Sequence, residues 1–148
     1  MGIHTLESLT GIHLSYWVAR ALDYEPYLIT DDDTERCVIK LPDTGFIEFN
    51  PHVNNDKLVE LINKHRPDLT WDQQTNEWVG TYWYDFFSGD ISLDLGGMGR
   101  GTYAEAALRC IVDRFIGKEV PAGYASLDTD QEGYWINEYY YQTPDDVA

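Results

Sequence analysis

Three stretches of the chain carry apolar residues at helical spacing, and short alternating runs lie between them. Leu14, Trp17, Val18, Ala21 and Leu22 recur at offsets of three and four, which lays one apolar stripe along a helix. Thr10 stands where an N-cap oxygen is needed, Leu9 can staple against Leu14, and Pro26 marks the stop. A shorter helix is expected after Asn54-Asn55, with Leu58, Leu61 and Ile62 inward, Lys64 and His65 near its carbonyl end, and Pro67 closing it. The third helix opens on Thr102-Tyr103-Ala104-Glu105, the capping-box spacing. Its apolar face runs through Ala104, Ala107, Leu108, Ile111, Val112 and Phe115, and Gly117 offers a left-handed cap.

Between the helices the period shortens to two. Cys37–Leu41 and Phe46–Phe49 flank Pro42-Asp43-Thr44-Gly45 and read as a hairpin, preceded by a charged loop at Asp31–Glu35. Trp71–Gln74 and Trp78–Tyr84 flank a second turn at Thr75-Asn76. Ile91, Leu93 and Leu95 alternate with Ser92 and Asp94, as in a strand with one buried face. The pattern predicts an α+β fold: a small, mainly antiparallel sheet packed against two main helices and one short helix. With 148 residues and no repeat or linker, residues 1–148 form one domain, extended from about residue 122 by an acidic, aromatic segment.

Charge changes the picture. Twenty-six acidic residues against ten basic ones give a formal charge of −16, well outside the magnitude of about 2–8 usual for a small soluble domain. Such a field repels nucleic acid and anionic membranes and draws in basic surfaces, so direct nucleic-acid binding is not expected. No apolar run approaches the roughly 20 residues of a membrane helix. After Lys118 there is no Lys or Arg, while Glu119, Asp128, Asp130, Glu132, Glu138, Asp145 and Asp146 alternate with Tyr124, Tyr134, Trp135 and Tyr139–Tyr141. Aromatics at this density argue against simple disorder. Either a terminal strand returning to the sheet or an acidic recognition surface accounts for them.

Motifs with chemistry in them are few. Cys37 and Cys110 lie in apolar contexts and read as buried free thiols. His4, His13, His52 and His65 are scattered, so neither Cys nor His is expected to hold a metal. Asp31-Asp32-Asp33 and Glu35 lack the spacing and the turn glycine of a calcium loop. Gly96-Gly97-Met98-Gly99-Arg100-Gly101-Thr102, between a strand and a helix start, reads as a flexible connection. It has one sharper alternative, anion capture by Gly97, Gly99, Arg100 and Thr102, although it lacks the P-loop and dinucleotide spacings. No serine sits in a nucleophile elbow and neither cysteine has a motif histidine, so the chain is not expected to be an enzyme and no cofactor is expected. In the aromatic run, Trp78, Tyr82, Tyr84 and Phe86 share one face of a strand, and Trp83 and Phe87 point the other way, where they would meet a partner or a dimer mate.

Some segments resemble a known family. Leu9-Thr10-Gly11 with Leu14, Trp17 and Val18–Leu22, then Phe49-Asn50-Pro51, then Thr102–Val112 followed by Gly117-Lys118-Glu119-Val120, are similar to an uncharacterised phage family that includes the NinX proteins. The resemblance covers roughly residues 6–120. Trp71–Gly101 is longer and more aromatic than that pattern, and the segment from Ala122 looks like an addition. The resemblance implies a phage or prophage origin and, with it, the cytoplasm of a host bacterium; it implies no activity. Met1–Glu7 lacks the basic flank and apolar stretch of a secretion signal, and Leu6 breaks the myristoylation pattern. The expectation is an acidic, anti-defence viral protein that occupies a basic surface on a host nuclease or CRISPR-type effector, as a DNA mimic does. Asp31, Asp32, Asp33, Glu35, Trp83, Phe87, Asp128, Asp130, Glu132, Trp135 and Glu138 are its partner-binding residues. The alternatives are a sponge for a small nucleotide messenger, or an oligomeric phage accessory protein that inhibits nothing.

Overall fold

The computed structural model describes residues 2–31, 34–42, 45–83 and 95–126; for Asp31, Trp83, Leu95 and Gly96 it describes the backbone alone. In chain order the elements are β1 (Ile3–Thr5), a 3-10 turn (Leu6–Ser8), α1 (Gly11–Ala21), β2 (Glu25–Asp31), β3 (Thr34–Leu41), β4 (Gly45–Glu48), α2 (Asn55–His65), β5 (Asp68–Asp72), β6 (Glu77–Trp83), β7 (Leu95–Gly101), α3 (Tyr103–Phe115) and β8 (Glu119–Pro121). The fold is α+β. Its strands are shared among three antiparallel sheets, ordered β1-β8, β2-β3-β4 and β5-β6-β7. Helix α1 lies against β2 and β3, α3 lies against β6 and β7, and the two helices meet between those sheets. Leu14, Val18, Ile39, Ile47, Phe49, Leu108, Ile111 and Val112 fill the space there and are closed to solvent.

The helix ends follow from their caps. Thr102 and Glu105 form the capping box, each serving the other's backbone N–H. Asn54 caps α2 by accepting from the Lys57 amide. Thr10 holds the N-cap position of α1 without a side-chain bond. That helix stops at Ala21, ahead of Asp23, which turns the chain with φ 66°. Pro26 therefore ends nothing: it sits in β2, an edge strand, where a missing N–H costs no ladder bond. At the end of α3, Phe115 is 49% exposed and lies off the buried face predicted for it.

The β2–β3 hairpin also shortens the charged loop expected at Asp31–Glu35. Asp31 pairs with Thr34 and Thr30 with Glu35, so three of those five residues are strand. Asp32 and Asp33 lie outside the described residues. The β3–β4 hairpin is as predicted, with Val38 opposite Glu48 and Leu41 opposite Gly45. The second turn is present too: Asn76 adopts φ 58° between β5 and β6. Of the strand expected at Ile91–Leu95, Leu95 opens β7, and Ile91 and Leu93 lie outside the described residues.

The glycine run carries the largest correction. Residues 95–101 are a strand, β7, not a flexible connection, and its glycines let α3 sit unusually close. A Cβ on Gly99 would lie 2.5 Å from the Cys110 nitrogen and 2.6 Å from the Ala106 carbonyl oxygen. On Gly97 it would lie 2.9 Å from the Arg114 nitrogen, and on Gly80, across the ladder in β6, 2.7 Å from the Ala106 oxygen. The Met98 N–H donates to the Asp113 carboxylate at 2.8 Å and pins the seam further.

Candidate functional site

The acidic residues singled out by sequence are brought together at one place in the described structure. Glu35 lies next to the Asp31 end of the β2–β3 hairpin, with 49% of its side chain exposed and Oε1 3.7 Å from His13 Nε2. Tyr124 stacks on that same histidine at 4.7 Å and packs edge-on against Tyr16 at 4.9 Å. From there the chain runs beside β2. The Leu28 N–H donates to the Ala125 carbonyl at 2.8 Å, the Ala125 N–H donates to the Tyr16 hydroxyl at 2.9 Å, and Ser126 bridges Leu28 in parallel. Tyr124–Ser126 thus points along β2 towards Asp31. The described start of the C-terminal segment joins the sheet edge, one of its two expected fates. Phe87, Asp128, Asp130, Glu132, Trp135 and Glu138 lie outside the described residues, and of Trp83 only the backbone is described, paired with Leu95.

Charge is divided unevenly along the chain. All ten basic residues lie in the described stretches, with fourteen of the twenty-six acidic ones. There the signs largely answer each other. Arg36 lies 3.8 Å from Glu48, Lys57 lies 3.3 Å from Glu60, and Arg100 reaches both Asp72 and Glu77 at 3.3 and 3.2 Å. The other twelve acidic residues fall in 32–33, 43–44, 84–94 and 127–148, where no Lys or Arg accompanies them.

The residues proposed for anion capture have other tasks. Gly97 and Gly99 face α3 across the close seam. The Arg100 guanidinium is held by two carboxylates on the opposite face of the sheet. The Thr102 hydroxyl accepts from the Glu105 N–H at 3.1 Å, and the Thr102 N–H donates to the Glu105 carboxylate at 3.0 Å, so the helix start is already satisfied. A phosphate there would meet carboxylates in place of free donors.

Nothing among the described residues assembles a reaction centre. No group of three or more His, Cys, Asp or Glu side chains could hold a metal ion. Both thiols are buried and free; burial pushes Cys37 well above the usual thiol range and Cys110 up to about 12, helped there by Asp113. Ser15 Oγ lies 2.7 Å from His52 Nδ1, but Ser15 is 0% exposed on α1, so this pair ties the segment after β4 to the helix core. Burial holds the His52 imidazole below its ordinary pKa. The open groove of about 520 Å³ lined by Trp17, Arg20, Asp23, Tyr24, Ile116 and Pro121 carries no nucleophile beside a base.

Two features escaped the sequence reading. Arg109, on the buried face of α3, donates to the carbonyls of Leu9 (2.9 Å), Glu7 (3.2 Å) and Arg100 (2.6 Å). Trp71, Trp78 and Tyr103 form an exposed aromatic group, with Trp71 and Trp78 centroids 5.7 Å apart at 70° and Trp78 and Tyr103 5.0 Å apart at 87°. The Trp71–Trp78 pairing follows from the Thr75-Asn76 turn, which sets those two residues opposite each other, and could have been read from it. No family model matches the chain, and no curated protein matches it either.

Proposed function

We propose that the protein works by binding a basic macromolecular partner through carboxylates, and performs no chemistry. The Asp31 end of the β2–β3 hairpin and the segment beyond Ser126 form the contact surface of this reading. The observation that carries it is the charge division. A body in which acids and bases nearly balance is joined to stretches holding twelve carboxylates and no cation. Carboxylates concentrated in this way, and not spread over a neutralised surface, can occupy a groove built for phosphates. Complementary charge then gives fast, salt-sensitive association and rejects acidic competitors. The phage origin implied by the sequence resemblance would make that partner a host protein, with a defence nuclease the fitting class. A nucleotide sponge has less support, because Arg100, Thr102 and the glycines of β7 are engaged within the fold.

The test is retention of host proteins on the immobilised full chain at about 0.1 M and about 1 M salt, where the screening length falls from about 10 to about 3 Å. It is repeated with Asp128, Asp130, Glu132 and Glu138 changed to Asn or Gln. The expected result is a basic protein held at low salt, released at high salt and lost by the neutralised variant. Retention indifferent to salt, or unchanged in that variant, overturns the reading.

A further inference from the structure

We infer that Trp71, Trp78 and Tyr103 form a docking surface for arginine side chains of that basic partner; this rests on the reading above and gives it a second contact point. The three rings gather at one end of the β5-β6-β7 sheet. Trp71 and Trp78 are direct partners across β5 and β6, and Tyr103 is the first residue of α3. Trp71 is 46% exposed and Tyr103 41%. Trp78 has Gly101 as its other cross-strand neighbour, so no side chain from β7 covers it on that side. Helix α3, which covers this face further along, begins only at Tyr103.

Mutually perpendicular rings turn more than one π face towards a cation, and guanidinium groups prefer to lie over such faces. The same strand shows this chemistry at its other end, where the Arg114 guanidinium sits 4.5 Å from the centre of the Tyr82 ring. The two guanidiniums nearest the trio are committed elsewhere: Arg109 to three carbonyls inside the fold, Arg100 to Asp72 and Glu77. Carboxylates frame the rings. Glu105 Oε1 lies 2.5 Å from where a Gly101 Cβ would stand, on the rings' own face, and Asp72 and Glu77 sit one residue along from each tryptophan. Aromatic faces ringed by negative charge fit an arginine-bearing surface and disfavour an acidic or nucleic-acid one.

The experiment titrates the ¹⁵N-labelled full chain with a hexa-arginine peptide and follows the tryptophan indole N–H signals, with Trp71 assigned from Trp71→Ala and Trp78 from Trp78→Phe. The expected result is saturable movement of both signals. Trp71→Ala and Tyr103→Ala should each weaken peptide affinity by between about two- and thirty-fold, the range of exposed to desolvated cation–π contacts. If the peptide binds while both indole signals stay still, or if both variants bind as wild type does, the aromatic surface is refuted and the carboxylate reading survives. If the wild-type chain does not bind the peptide at low salt, both fall. Should a variant lose its fold, the wild-type indole signals still decide.

Discussion

Gly99→Ala tests the seam between β7 and α3, on which the second half of the fold is built. Alanine for glycine in an ordinary backbone conformation usually stabilises a protein by about 0.4–1 kcal/mol, through the unfolded chain. Here the sign should reverse. The new methyl would stand 2.5 Å from the Cys110 nitrogen, 2.6 Å from the Ala106 oxygen and 2.7 Å from the Arg109 Cβ, where ordinary carbon contacts need about 3.5–4.0 Å. Two of those atoms are helix backbone and cannot rotate aside, so α3 must lift by close to an ångström along its most closely packed contact. Overpacking of this kind costs about 1–3 kcal/mol, and the rigidity of the neighbours puts Gly99 at the upper end. For a domain of this size that is a fall in Tm of roughly 6–12 °C. Gly123→Ala is the control, since nothing lies within 4 Å of its Cβ position, and it should change stability by less than about 0.5 kcal/mol. Urea denaturation of both variants decides the matter. A Gly99→Ala protein as stable as wild type would mean that α3 does not rest on this strand, and the flexible-connection reading would return.

Other consequences can be checked in the same preparation. Arg109→Met should cost about 3 kcal/mol or more in urea unfolding, because it strands the buried carbonyls of Leu9, Glu7 and Arg100; a loss under 1 kcal/mol would contradict their burial. Cys37 and Cys110 should both resist a thiol reagent at neutral pH in the native state and react together once the chain is unfolded, since burial keeps both thiols protonated. The pKa of His52 is depressed in the fold, so the unfolded chain takes up that proton first as pH falls below about 6.5. Stability present above that pH should therefore drain away as pH drops towards the folded value, and His52→Asn should flatten the slope between about pH 7 and pH 5.5; an unchanged slope would remove His52 as its source. Nucleotides should leave Tm unmoved, since Arg100 and Thr102 are already engaged.

What could be read from the sequence was mostly local. The Thr102–Glu105 box and the Asn54 cap depend on residues three apart, and each forms the bond its spacing implies. The β3–β4 hairpin followed from a Pro-and-Gly turn between two apolar runs. The glycines of β7 misled because the same residue serves a loose loop and a close helix contact. Choosing between them requires knowing that Ala106 and Cys110 stand opposite. Strand β2 was missed because Pro26 resembles a stop until its place at a sheet edge is known. Arg109 reads as a solvated helix residue, since its acceptors Glu7 and Leu9 lie about a hundred positions away. For the candidate site, the acidic excess was plain, while its separation from the basic residues emerged only with the described stretches marked on the fold.

One side chain in this fold bears on the order of its assembly. The turn at Leu6–Ser8 and the start of α1 cannot receive their guanidinium until α3 has formed and docked on β7, so closing this contact spans most of the chain. Contacts of such long reach are entropically late. In native-state hydrogen exchange, the amides of the N-terminal turn should open and close with α3 as one cooperative unit, and not fray as a chain end ordinarily does.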